Sequence, residues 1–258
     1  MNYGFYLSAA GALTNLHRQD VAANNLANLN TTAFKPDSVV TRQRLPERLE
    51  ENHPMVDPQL LLEQLGGGHL VEPTLTSFSQ GAITKTVNPL DLALDGEGFF
   101  VVSDGSGNPN QFRFTRDGRM TMNDRGELVM AATGRRVLDT NNQPITLDPT
   151  LEVQIRDDGG VYQNNTEIAS LQITSISDPA ALHKDGANLF RLDPNAGATR
   201  LPATASVKQF STEQSAVDPI ATLMAVTSTA KAVSSNIKMM QYHDDIMGRL
   251  INTVARVS

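Results

Sequence analysis

A chain of 258 residues with net charge -7, 40% hydrophobic residues and neither Cys nor Trp excludes several classes of protein at once. Ordinary apolar content rules out collagen-like and wholly disordered chains, and without thiols there are no disulfides and no thiolate metal sites. The acidic balance gives no electrostatic reason to bind nucleic acid or an anionic membrane, and scarce aromatics argue against a base-stacking surface.

The length allows one or two domains with a substantial core. No stretch approaches the ~20 apolar residues needed to cross a bilayer. The apolar start, Phe5 to Leu13, lacks a cationic region before it, so it reads poorly as a secretory signal.

The spacing predicts a helix over residues 4–28. Steps of three and four meet Tyr6, Ala9, Leu13, Leu16, Asp20, Ala23 and Ala27, the seam of a helix that meets other helices. The run Asn28-Leu29-Asn30-Thr31-Thr32 ends it, because Asn tolerates the left-handed conformation and binds its own backbone. Only Arg18 and Asp20 are charged in the first 34 residues. Such a helix is expected to be mobile in the free subunit and ordered among neighbours.

Residues 36–80 read as a connector, interrupted by Pro36, Pro46, Pro54, Pro58 and Pro73. Pro58 to Leu65 is a short-helix candidate. Gly66-Gly67-Gly68 reads as a hinge, since a phosphate loop would need Lys-Ser or Lys-Thr after it and His69-Leu70 follows.

Residues 81–212 read as all-β. Leu90, Leu92 and Leu94 alternate with Asp91, Ala93 and Asp95; Phe99 to Val102 is a short buried run; Phe112 and Phe114 alternate with Arg113 and Thr115. Asp95-Gly96, Asp117-Gly118 and Asp124-Arg125-Gly126 carry hairpin-turn chemistry. Further strand candidates are Leu151–Ile155, Ile168–Ile176, Asn188–Leu192 and Ala203–Phe210, and together they suggest a compact sandwich or irregular barrel.

Asp218-Pro219 is a helix start signal, with Asp as N-cap and Pro at the first helical position. The helix it opens, to Val257, carries a seam of Leu223, Val226, Ala230, Val233, Ile237, Met240, Asp244, Met247, Ile251 and Val254. Two seamed helices at opposite termini suggest a subunit whose ends meet in an assembly. The expected interface is that second seam together with Leu13, Leu16, Asp20, Asn24, Asn25, Leu26, Asn28, Thr31 and Phe34. Asp20 and Asp244 interrupt apolar seams; as buried polar residues they would fix axial register, and at an edge they would stay wet.

The segment Ala23-Asn24-Asn25-Leu26-Ala27-Asn28-Leu29-Asn30-Thr31-Thr32-Ala33-Phe34-Lys35 resembles the N-terminal signature of bacterial flagellar rod and hook proteins. Three more stretches are similar to that family, in its order. They are Phe78-Ser79-Gln80-Gly81 with Asn88 to Phe100; Phe114-Thr115-Arg116-Asp117-Gly118 with Asp124 to Val129; and Glu213-Gln214-Ser215-Ala216-Val217-Asp218. The signature's usual Gly is Ala33 here, so the turn before Phe34 must use a conformation open to Ala. Ser228-Thr229-Ala230-Lys231-Ala232 also stands where many relatives carry a Gln-Arg-Ala-Tyr-like run.

The resemblance implies a structural subunit of the flagellar basal-body rod in the periplasmic space. It would polymerise with itself into a tubular drive-shaft, be exported through the flagellar type III apparatus, and contact other rod and hook proteins and the surrounding ring or bushing. A hook-type axial protein and a secreted oligomeric adhesin are the alternatives. The fold class expected is α+β, with long N- and C-terminal helices pairing in a helical bundle and a central all-β domain forming a sandwich or barrel. The domains expected are 1–35 plus 213–258 for assembly, 36–80 as connector and 81–212 as β domain.

Neither catalysis nor a cofactor is expected. Ser228-Thr229-Ala230-Lys231 and Ser235-Asn236-Ile237-Lys238 match the S-x-x-K spacing of penicillin-recognising enzymes, yet no S-D-N or K-T-G partner occurs. His17, His53, His69, His183 and His243 share no metal-ligand spacing. The loop Asp91 to Glu97 is like a calcium loop, but Ala93 occupies a ligand position and the distal Glu is absent. Leu201-Pro202-Ala203-Thr204 is like a sortase signal, but Ala205 replaces Gly and no apolar tail follows.

Overall fold

A computed structural model describes residues 3–45, 68–103 and 111–254. The chain divides into two compact units: Met1–Ala27, Asp37–Thr76 and Asp218–Ser258 form a helical unit, and Asn28–Pro36 with Ser77–Val217 form a β unit.

In the helical unit, α1 (Tyr3–Ala27) is followed by β1 (Asp37–Ser38), β2 (Thr41–Gln43), β3 (His69–Val71), β4 (Leu75–Thr76) and α2 (Pro219–Val254). β1 pairs antiparallel with β4, and β2 with β3. α2 starts where Asp218 Oδ1 accepts the Ile220 and Ala221 amides at 2.9 and 3.0 Å, which satisfies donors the first turn cannot use. Its 36 residues span about 54 Å at 1.5 Å per residue. The short-helix candidate at Pro58 to Leu65 lies outside the described residues. Gly68 takes φ +99° beside Leu7 and Ala10, a conformation cheap only for glycine.

The β unit holds β5 (Ile83–Lys85), β6 (Leu92–Asp95), β7 (Phe99–Ser103), β8 (Phe112–Thr115), β9 (Met120–Met122) and β10 (Leu128–Met130). It continues with β11 (Val153–Ile155), β12 (Gly160–Gln163), β13 (Thr166–Ser170), β14 (Ile173–Ile176) and β15 (Leu182–Lys184). β16 (Leu189–Leu192), β17 (Arg200–Pro202), β18 (Ser206–Gln209) and β19 (Ser211–Glu213) complete it. The largest sheet has the order β15-β16-β8-β7-β14-β17. Within it β7 is buried on both faces. Phe100 and Val102 enter one core with Leu92, Leu94, Met120 and Leu128, while Phe99 and Val101 enter a second with Phe114, Leu182 and Phe190. Side chains alternate across a strand, so a continuous apolar run is what a strand with a core on each side requires.

The expected architecture needs correction. In place of a helical bundle there is one long helix at each end of the chain. In place of a single sandwich or barrel, the described strands are shared among small separate sheets: the six-stranded one, β11-β12-β13, and pairs such as β18-β6, β19-β5 and β10-β9. These strands run only three to five residues. The chain passes from one sheet to another repeatedly, as between β8 and β9, β10 and β11, and β13 and β14, so the strands do not form two full layers or a closed barrel.

Candidate assembly interface

Within the helical unit α1 and α2 run antiparallel. A β-carbon built on Gly4 would stand 2.6 Å from His243 Cε1, and one on Gly11 would stand 3.1 Å from Asn236 Nδ2. Farther along, Ala22 and Asn25 share a hollow of about 380 Å³ with Thr222, Ala225 and Thr229. The helices therefore meet through small and polar residues, which lets their backbones approach closely. Ala12, Thr14 and Ala22 are buried on α1, and Val233 on α2.

The larger apolar side chains lie mostly elsewhere on the two helices. On α1, Tyr6, Leu13 (68% exposed) and Leu16 face outward. On α2, Leu223, Ile237, Met247 and Ile251 (63%) are exposed, joined by Ile220, Met224, Met239, Tyr242, Ile246 and Leu250. Val226, Ala230 and Met240 are half-buried, and Val254 is the last residue of the helix. Asp20, Asn24 and Asp244 are exposed in the single chain, whereas Leu26, Asn28 and Thr31 are half-buried. The anticipated residues thus divide: Val233 and Asn25 lie inside the chain's own packing, and most of the large apolar ones do not.

The signature residues close the end of α1. Buried Asn25 donates from Nδ2 to the Asp37 carbonyl at 2.7 Å and accepts the Asp37 amide at 3.1 Å, tying the returning strand to the helix. In the β unit, Thr31 donates its amide to the Asn28 carbonyl and its hydroxyl to Asn28 Oδ1, both at 3.1 Å. Phe34 is buried beneath the Lys184 ammonium, 4.4 Å from its ring centre. Ala33, fully buried, takes φ +56°, the left-handed turn for which the signature's Gly is suited.

A feature not anticipated from the sequence lies beside that turn. Lys35 Nζ donates to Glu213 Oε1 at 2.6 Å and to the Ser79 carbonyl at 2.7 Å, with the Lys35 and Glu213 side chains wholly buried. Glu213 Oε1 also accepts the Gly81 amide at 2.8 Å, and Arg116 Nη1 stands 3.6 Å from Oε2. One buried carboxylate thus serves two buried cations. Burial pushes both Lys35 and Arg116 below their ordinary values, with Glu213 pulling the other way. All three residues fall in the family-like stretches, but a pairing across 178 positions leaves no periodic trace.

Ser228 Oγ donates to the Ala225 carbonyl at 3.0 Å, the usual fate of a helical serine. Asp91 Oδ1 accepts from Asn88 at 2.9 Å. His183 lies 3.7 Å from Asp193, and His53 is outside the described residues. Among the described residues no group of three or more His, Asp or Glu is placed to hold a metal ion, and no helix is long and apolar enough to cross a membrane.

Residues 6–35 match the family described as flagella basal body rod protein, and residues 93–163 match the flagellar hook protein FlgE/F/G D1 domain. The flagellar basal-body rod protein FlgF of Caulobacter vibrioides is 31% identical over the whole of both chains. FlgG of the same organism is 27% identical, covering 93% of this chain and 95% of its own. The flagellar hook-basal body complex protein FlhO of Bacillus subtilis is 24% identical over 98% of this chain and 99% of its own.

Proposed function

This chain belongs to the flagellar basal-body rod protein family, and from that premise we infer a structural subunit of the bacterial flagellar basal-body rod that assembles with itself and with other rod and hook proteins. The observation that carries the mode of assembly is the uncovered apolar surface of α1 and α2. The helices spend their small residues on each other and leave Leu13, Leu16, Leu223, Ile237, Met247 and Ile251 outward. Surface of that kind on both termini suits a contact that repeats by rotation and rise, which generates a helical tube. Full burial of such a side chain contributes about 1.5–3 kcal/mol, so several per subunit outweigh the ordering of the termini.

On this reading the terminal helices resist torsion from inside the tube, and the β unit faces neighbouring subunits or the ring. Export through the flagellar type III apparatus and residence in the periplasm accompany the role, and the chain has no catalytic task. Asp20 and Asp244, wet in the single chain, become candidates for setting axial register once neighbours cover them. The test is genetic: a deletion strain should be non-motile and rescued by the wild-type gene, and not by Leu13→Asp or Ile251→Asp. Full rescue by both variants would remove the helices from the interface. Normal rod length and register with Asp20→Ala and Asp244→Ala would end the register idea.

A further inference from the structure

The segment Asn28–Pro36 enters the β unit from chain that lies, on both sides, in the helical unit. It is bound there in the manner of a peptide ligand. Ala33, Phe34 and Lys35 are each more than nine-tenths buried. The Ala33 amide donates to the Glu213 carbonyl at 2.8 Å, and the Ala216 amide to the Phe34 carbonyl at 3.0 Å. Asn188 Nδ2 donates to the Thr32 carbonyl and Lys184 Nζ to the Lys35 carbonyl, both at 2.7 Å. The Lys35 side chain reaches Glu213 Oε1 and the Ser79 carbonyl. The groups that receive the segment come from three distant stretches, around residues 79–81, 184–188 and 213–216.

None of the segment's residues belongs to either apolar core of the β unit. Its buried apolar side chains, Ala33 and Phe34, stand outside both clusters. What the segment completes is polar: the acceptor for the Ala216 amide and the closest cation on Glu213.

We propose that the β unit carries a peptide-binding site whose ligand is the chain's own Thr31–Pro36, an aromatic-lysine turn, and that this docking is separable from the folding of the strands around it. Phe34 is the apolar anchor, Lys35 the charged one, and the backbone bonds to Glu213 and Ala216 set the register. Because the β-unit side of the site includes Glu213 and Ala216, docking of the stretch after α1 depends on the stretch just before α2. The inference is independent of the assembly reading and is tested on the monomer.

The full chain carrying Lys35→Glu places a second carboxylate against Glu213 and should release the segment. Amide exchange at Ala33 and Ala216 should then rise at least about 100-fold, and by a much larger factor than at Leu94 and Val101. A synthetic peptide of residues 28–37, added at millimolar concentration, should slow exchange at Ala216 at least about tenfold; the same peptide with Phe34→Ala should not. Uniform acceleration across the unit, or equal effects of the two peptides, would overturn the proposal. Should Lys35→Glu fail to fold, native-state exchange of the wild-type chain in low urea decides the matter. Ala33 and Ala216 must open at lower urea than Leu94 and Val101, and opening of all four in one event would equally overturn it.

Discussion

The buried cluster of Lys35, Arg116 and Glu213 predicts an inequality between two substitutions of similar size. Removing Glu213 as Glu213→Leu leaves two buried cations without their carboxylate and the Gly81 amide without its acceptor. Uncompensated buried charge of this sort costs about 3–5 kcal/mol. Removing the ammonium as Lys35→Met is different. The Met stem still fills the apolar part of the space, and Glu213 keeps the Gly81 amide and Arg116 at 3.6 Å. What is lost is the charged hydrogen bonding to Glu213 and Ser79, about 1.5–3 kcal/mol. The difference of about 2 kcal/mol corresponds to about 1 M in urea midpoint for a small cooperative unit. Urea titration read from the amide NMR signals of Leu94 and Val101, both in the β unit's interior, isolates this unit from the helices. A Lys35→Met midpoint at or below that of Glu213→Leu would refute the two-cation account.

Three other outcomes follow from single positions. Gly118→Ala should destabilise the β unit by more than about 3 kcal/mol, because its β-carbon would stand 1.8 Å from the Leu92 carbonyl oxygen and must displace the β6 backbone and its hydrogen bonds; a smaller midpoint shift in urea contradicts the packing. Ala33→Gly should change stability by less than about 1 kcal/mol. Relief of left-handed strain, about 1–2 kcal/mol, is offset by loss of a buried methyl, about 0.8 kcal/mol, and by the freer unfolded chain, about 0.4–1 kcal/mol. Calorimetry showing a loss above about 2 kcal/mol would contradict that cancellation. Finally, the hydrogen bond from Arg113 holds the Asp185 carboxyl below its ordinary value. Its contribution is present above the unfolded value and lost as pH falls through the folded one. Asp185→Asn should therefore flatten the decline of the urea midpoint on acidification below about pH 4; an unchanged slope would show that the pair contributes nothing.

The helices were legible because their signals are local. Residues 4–28 and the Asp218-Pro219 start correspond to Tyr3–Ala27 and Pro219–Val254, and period and capping are read within a few positions. The face each helix gives to the other was less legible. A step of three and four marks apolar residues, yet here the intrachain contact runs through Gly4, Gly11, Ala22 and Ala225, and close approach selects small size over hydrophobicity.

In the β unit the expected strand Ile168–Ile176 is two strands, β13 and β14, in different sheets, with the break at Leu171-Gln172. Leu171 is buried there in the first core, so the apolar pattern runs through a change of partner without a gap. The Asp117-Gly118 pair reads in the sequence as hairpin-turn chemistry, whereas Gly118 is needed for its lack of a side chain against Leu92. Sheet membership depends on pairings such as Ile173 with Phe100 and Val207 with Leu94, and nothing in an unaligned sequence encodes those. The Lys35–Glu213 pair was invisible for the same reason.

Electron microscopy of basal bodies purified from a deletion strain expressing Leu13→Asp tests the assembly claim most directly. Leu13 is already exposed in the single chain, so the variant should fold as the wild type does and circular dichroism should confirm it. The account predicts rods that are missing or truncated in that strain and complete with the wild-type gene. Complete rods of normal length built from a folded Leu13→Asp subunit would contradict it.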